Sequence, residues 1–212
     1  MIHGVRIHQH GGPEVLAYQP VDVATPGRGE VRVRHTAIGL NFIDVYDRTG
    51  LYPAPLPIIL GREAAGIVTQ LGRDVRGLAE GDRVAYVLHV PGAYVDERVV
   101  PAARLVKIPP EVTDAQAAAS MLKGLTAQYL LRSTYRVKRR DPVVIHAAAG
   151  GVGLLAVQWA RHLGAEVIAI VGSERKAEVA REHGAHHVLL QDQPDLVARV
   201  RGVTKGRGVP VV

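Results

Sequence analysis

The chain has 212 residues, of which 47% are hydrophobic and 22% charged, with a formal net charge of +6 and no Cys. This is the make-up of a globular protein with room for one large or two small domains. The missing Cys excludes disulfides, thiolate metal sites and a cysteine nucleophile.

The N-terminal stretch MIHGVRIHQHGG lacks the apolar run of a signal peptide and reads as a strand entering a turn, so a cytoplasmic protein is expected. From Val31 to Ile108 the runs VRVRHTAI, GIVTQLG, DRVAYV and AYVDERVV alternate apolar and polar residues. Turn signals such as Glu80-Gly81-Asp82 separate them, which predicts a small β-barrel-like domain. After Pro109-Pro110, Thr113 and Gln116 form a capping box ahead of an Ala-rich helix reaching Leu122, with Gly124 as its C-cap. A junction near Lys123 follows, giving domains 1–123 and 124–212.

Arg136-Val137-Lys138-Arg139-Arg140 is the one dense basic run. It reads as a solvated segment, with nucleic-acid binding as the alternative that the positive charge raises. Val143-Val144-Ile145 then predicts a strand. Val152, Leu155, Ala156, Trp159, Ala160 and Leu163 fall on one face of a helix that Gly164 ends. Val167 to Val171 is a second strand, Glu174 to His183 a second helix and Val188 to Leu190 a third strand. This βαβαβ order implies a parallel sheet. His146, Gln158 and three glycines interrupt the apolar stretch from Val143 to Ala160, so no membrane span is expected.

Between the first of these strands and its helix lies Ala148-Ala149-Gly150-Gly151-Val152-Gly153, the dinucleotide fingerprint with Ala148 in the first glycine's place. In that setting glycines let the backbone approach a pyrophosphate, and the helix N-terminus stabilises its charge. No Lys-Ser/Thr pair follows, so a nucleoside-triphosphate loop is not supported. An NAD site needs a carboxylate where the second strand ends, yet this strand ends in Val171-Gly172-Ser173, with Arg175 and Lys176 one turn on. Those donors suit a 2′-phosphate, and NADPH is the expected cofactor.

The segments Gly39-Leu40-Asn41-Phe42-Ile43-Asp44-Val45-Tyr46, Gly50-Leu51-Tyr52-Pro53 and Gly61-Arg62-Glu63-Ala64-Ala65-Gly66 add a further signal. Together with Lys123-Gly124-Leu125-Thr126 and His146 to Gly153, they resemble quinone oxidoreductases related to zeta-crystallin, in the medium-chain dehydrogenase/reductase superfamily. The resemblance spans essentially the whole chain. It implies a GroES-like catalytic domain followed by a Rossmann domain, with the cofactor in the cleft between them. It also implies that the C-terminal part of the Rossmann domain is missing after Val209-Pro210-Val211-Val212, and the family's homodimer contact with it.

By the same resemblance Asn41, Tyr46 and Tyr52 line the substrate cleft, Thr126 contacts the nicotinamide, and Gly172 and Lys176 meet the adenosine phosphate. Gln191 departs from the Tyr that many relatives carry near the adenosine end. Zinc alcohol dehydrogenases share this scaffold, but their metal-binding His is replaced by Arg62 and no Cys is present, so no metal is expected. His183, His186 and His187 have metal-like spacing, although Gly184-Ala185 breaks the helix that would align them. The expected function is NADPH-dependent reduction of a quinone or similar electron-poor carbonyl. The alternatives are an enoyl-type reductase on the same fold, a nucleic-acid-binding module, or a catalytically silent fragment.

Overall fold

A computed structural model describes residues 1–212 and divides them into two compact units, Met1–Leu122 and Lys123–Val212. In the first, β1 (His3–Ile7), β2 (Ala17–Pro20), β3 (Glu30–Gly39), α1 (Phe42–Thr49) and β4 (Ile58–Ile59) lead into β5 (Glu63–Leu71) and β6 (Arg83–Val87). β7 (Glu97–Pro101) and β8 (Val106–Lys107) complete its strands. α2 (Asp114–Tyr129) crosses the boundary between the units.

A three-stranded antiparallel sheet, β2-β1-β4, accompanies a five-stranded antiparallel sheet, β7-β3-β5-β6-β8. The alternation in β3 does what its sequence predicts. Val31 and Val33 enter a core with Val68, Val84, Tyr86 and Val100, while Arg32 and Arg34 point away from it. β5 is buried on both faces. Ala64 joins that core, whereas Ala65 packs with Ala85 against Ala117 and Ala118 of α2. Gly66 lets the strands approach, since a Cβ there would lie 2.2 Å from the Arg34 carbonyl oxygen.

α2 begins at the expected capping box. The Thr113 backbone N–H donates to Gln116 Oε1 at 2.9 Å, and the Gln116 N–H donates to Thr113 Oγ1 at 3.2 Å. It does not end at Gly124, which lacks the positive φ of a helix-ending glycine. The helix continues to Tyr129 and passes into a π-helical turn, Leu130–Thr134. Burial of Ala127 and Leu131 in the second unit's core outweighs the roughly 1 kcal/mol that an internal glycine costs.

The second unit contains β9 (Pro142–His146), α3 (Gly151–His162), β10 (Glu166–Val171), α4 (Glu174–Glu182), β11 (His187–Leu190) and α5 (Leu196–Val203). The strands form a parallel sheet in the order β11-β10-β9, and Val211 adds a parallel bridge to Val143 on the free side of β9. Third, second and first strands thus lie in sequence, and the chain then returns to the other side of the first. This reversal makes β9 the topological switch point of a doubly wound Rossmann-type fold.

One sheet face packs on α3 and α4 through Val143, Val167, Ala169 and Val171. The other packs Val144, Ile168 and Ile170 against Leu196, Val200, Val203 and Val209. Val209 and Val211 are therefore engaged with the sheet, while Val212 is exposed. The buried face of α3 centres on Gly153, Ala156, Val157 and Ala160, and Val152, Leu155, Trp159 and Leu163 flank it half-buried. Close approach of α3 to β9 draws the small residues inward. Arg136, Lys138, Arg139 and Arg140 are all exposed.

Candidate functional site

In the first unit the candidates cluster around α1, a helix whose two buried residues are both acids, Asp44 and Asp47. Each has a defined partner. Asp47 receives a bidentate contact from Arg62, with Nη2 at 2.8 Å from both carboxylate oxygens and Nε at 3.1 Å from Oδ2. Arg62 also donates to the His89 carbonyl. Asp44 Oδ2 accepts from the Tyr94 hydroxyl at 2.8 Å and from the Asn41 backbone N–H at 2.9 Å. Burial pushes the Asp44 carboxyl and the Tyr94 hydroxyl above their ordinary pKa values.

With its acids turned inward, α1 presents its rings outward. Tyr46 meets Phe42 and Tyr52 edge to face, each at a centroid distance of 5.3 Å. Tyr52 is 48% exposed and Phe42 70%. Tyr46 and Tyr52 thus come together. Asn41, beside them at the start of α1, turns its side chain inward, with Nδ2 donating to Glu63 Oε1 at 2.7 Å. Glu63, Asp47 and Phe42 belong to this site and were not singled out from sequence. Glu63 and Phe42 lie inside quoted motifs and Asp47 directly follows one, but only the fold shows what each faces.

The residues here do not fit a zinc ion. Arg62 occupies the place of the metal-binding His and is committed to Asp47. No three His, Cys, Asp or Glu side chains converge anywhere in the chain. His183 Nδ1 faces the Val179 carbonyl, His186 Nδ1 accepts from the Val167 N–H, and His187 Nε2 faces Glu166. Their metal-like spacing therefore resolves into three separate contacts.

In the second unit the fingerprint turns sharply at the C-terminal end of β9. Ala147 adopts a φ of 48°, and the Gly150 N–H closes the turn on its carbonyl at 2.7 Å. Ala148 is fully buried beneath the turn, which tolerates this methyl in place of the usual glycine hydrogen. Gly151, Val152 and Gly153 are the first three residues of α3, and the amides of a first helical turn have no intrahelical partner. A Cβ on Gly153 would sit 2.3 Å from the Ala147 carbonyl oxygen, so only glycine permits this strand-to-helix contact.

A Cβ on Gly151 would meet the stem of Lys123 at 2.8 Å. Lys123 therefore lies over the turn, one helical turn before half-buried Thr126 on α2. Its proximity was signalled only by the Lys123-Gly124-Leu125-Thr126 motif.

At the end of neighbouring β10, Gly172 is exposed with open space where a Cβ would be. Ser173 caps α4, its hydroxyl accepting from the Lys176 N–H at 3.4 Å. Arg175 and Lys176 are exposed. Gln191 donates its backbone N–H to the Val171 carbonyl at 2.8 Å and is exposed. Ala148, Gly150 to Gly153, Gly172, Ser173 and Lys176 thus share the C-terminal edge of two adjacent parallel strands.

Comparison with known proteins agrees with this architecture. Residues 27–110 match the alcohol dehydrogenase GroES-like domain, and residues 151–212 match the zinc-binding dehydrogenase domain. A quinone oxidoreductase of Pseudomonas aeruginosa is 49% identical over all of this chain and 66% of its own length. A 2-haloacrylate reductase of a Burkholderia species is 48% identical, with the same coverage. The crystal structure of the Escherichia coli quinone oxidoreductase complexed with NADPH superimposes with a TM-score of 0.96 at 47% identity, covering 99% of this chain and 65% of that one. The chain therefore spans a little under two thirds of these relatives' lengths. With both domains matched in order and nearly half of all positions identical, the chain belongs to the quinone oxidoreductase family of the medium-chain dehydrogenase/reductase superfamily.

Proposed function

We propose that this chain carries the cofactor- and substrate-binding residues of a zinc-independent quinone reductase that draws on NADPH. The observation carrying the reading is the shared edge of β9 and β10. It offers a glycine turn at the switch point and, one strand over, a Gly-Ser end with two exposed cations and no carboxylate at the C-terminal end of the strand before Glu174 opens α4. The backbone N–H groups of Gly151, Val152 and Gly153 suit a pyrophosphate, with Gly150 turning the chain and Ala148 packing beneath it. Gly172 and Ser173 leave space for the adenosine ribose, Lys176 suits the 2′-phosphate, and Thr126 suits the nicotinamide end. The NADPH-complexed relative supports this assignment.

When bound, NADPH supplies the reducing equivalents. The chain's own residues bind the acceptor and stabilise the oxygen that gains charge. Asn41 has a second Nδ2 proton, and the Tyr46 and Tyr52 hydroxyls are donors of the required kind. A quinone spreads its added charge over a conjugated ring, so such donors replace a Lewis acid. The same reading places the reaction in the cytoplasm, supported by its use of NADPH.

The 48% identity to a 2-haloacrylate reductase favours a second reading, reduction of a conjugated carbon–carbon double bond. That reaction must deliver a proton to carbon, whereas quinone reduction protonates only oxygen. Following NADPH oxidation with a naphthoquinone and with 2-chloroacrylate, each with and without EDTA, separates the two. Quinone-dependent turnover unchanged by EDTA is expected. Turnover only with the acrylate overturns the first reading, and activity abolished by EDTA and restored by zinc overturns metal independence. Binding to nucleic acid, if it accompanies this activity, should weaken steeply with salt.

A further inference from the structure

Glu63 opens β5 and is fully buried. Both its oxygens face N–H donors: Oε1 accepts from Asn41 Nδ2 at 2.7 Å, and Oε2 from the Leu122 backbone N–H at 2.6 Å. Room for the carboxylate is made by Gly39 at the end of β3, where a Cβ would fall 2.4 Å from Glu63 Oε1 and 2.3 Å from the Ala118 carbonyl oxygen.

The two donors differ in kind. The backbone N–H of Leu122 is held in α2 and cannot turn. The Asn41 amide has nearly the same shape either way round, and a half-turn exchanges its donor and acceptor ends. A carboxylate only accepts, so a single orientation of Asn41 satisfies Oε1. The backbone of Asn41 is fixed independently by its N–H bond to Asp44 Oδ2.

We propose that Glu63 is a positioning residue for substrate binding: it locks the Asn41 amide with Nδ2 toward β5, committing one Nδ2 proton and aiming the other. This rests on the reading of Asn41 as a substrate contact. It also makes the effect of Glu63→Gln specific. A glutamine offers one acceptor and one donor to two donors. Because Leu122 cannot turn, the introduced side chain would keep its oxygen toward α2, and the Asn41 amide would flip to present its own oxygen.

The test uses the ¹⁵N-labelled chain and the variants Glu63→Gln, Asn41→Ala and their combination, with thermal melts to establish folding. In the unsubstituted chain, one Asn41 Nδ2 proton, identified by its loss in Asn41→Ala, should be shifted downfield and protected from exchange. Glu63→Gln should abolish that protection. It should also weaken binding of a naphthoquinone at saturating NADPH roughly tenfold, the upper end of the scale for one hydrogen bond between neutral groups. In the Asn41→Ala background it should change affinity less than twofold.

An unprotected Asn41 amide in the unsubstituted chain overturns the proposal even if Glu63→Gln does not fold. So does a tenfold effect that persists without Asn41, which marks Glu63 as merely structural. If Asn41→Ala binds the quinone as tightly as the parent chain, Asn41 is not a substrate contact and the inference falls with that reading. If the parent chain binds no quinone, the quinone reading itself falls. In those last two cases a protected proton identifies the functional reading, rather than the Glu63–Asn41 geometry, as what failed.

Discussion

Lys176 sits on the first turn of α4, exposed, just beyond a strand end that carries no acid. A cation there distinguishes NADPH from NADH only through the 2′-phosphate, because the two cofactors are otherwise alike. Lys176→Ala should therefore raise the Kd for NADPH roughly tenfold, the scale of one charge-assisted bond, and leave NADH within twofold. Titration of both cofactors against both proteins checks this, and an equal loss for each would show that the side chain does not meet the phosphate.

A second residue-scale consequence concerns His35 in β3. Its Nδ1 lies 2.7 Å from the Val95 carbonyl, which can only accept, so Nδ1 carries the proton and Nε2 accepts from the Tyr86 hydroxyl at 2.9 Å. Burial lowers the His35 pKa to about 4 and raises that of Tyr86 to about 12, so both stay neutral at pH 7. Because the unfolded chain takes up a proton near pH 6.5 and the folded chain only near 4, this stabilisation is complete above 6.5. It falls as pH drops through that window. The loss should total about 3 kcal/mol at pH 4. Urea unfolding at pH 7 and pH 5 should show a drop in the parent chain that His35→Gln largely removes.

At the scale of elements, α1 shows why part of the site could not be seen in the sequence. A helix is recognised by an apolar face at its period, and the face that α1 buries is made of Asp44 and Asp47. What docks it is an ion pair with Arg62 and a hydrogen bond from Tyr94, both elsewhere in the chain. α5 was also not anticipated, since its valines read equally well as an apolar loop until they meet β9 and β10.

The fingerprint was legible because its chemistry is local. A strand, a glycine turn and a helix start within a dozen residues determine where phosphate can sit, and the capping box of α2 is local in the same way. Gly124 misled because a glycine after an Ala-rich run resembles a C-cap, and only burial of Ala127 and Leu131 carries the helix past it. The docking of α1 makes a prediction. Asp47→Ala and Arg62→Ala should each destabilise the first unit by about 3–5 kcal/mol, because each leaves a buried charge without its partner. Replacing the pair with Leu and Met should recover most of that loss. Urea melts of the three variants decide this, and single substitutions within 1 kcal/mol of the parent, the range typical of exposed pairs, would show that the helix is held by other contacts.

At the scale of the whole molecule, the two compact units give cofactor binding a regional signature. Every residue assigned to NADPH lies within Lys123–Val212, whose core combines the faces of β9, β10, α3 and α4. A ligand that binds only folded protein stabilises it by RT ln(1 + [L]/Kd), about 2.7 kcal/mol at a hundredfold excess over Kd. Hydrogen exchange should therefore slow most in the amides of β9, β10, α3 and α4 when NADPH is added. The His35–Tyr86 core of the first unit should respond far less. At equal concentrations NADH should protect the same amides more weakly, in proportion to its affinity, and Lys176→Ala should bring the two cofactors together. Protection by NADPH should also decline with added salt, because the 2′-phosphate contact is electrostatic and exposed. Equal protection by both cofactors at all salt concentrations would show that the edge of β10 reads no phosphate. Protection centred on residues 1–122 would place the cofactor away from the fingerprint altogether.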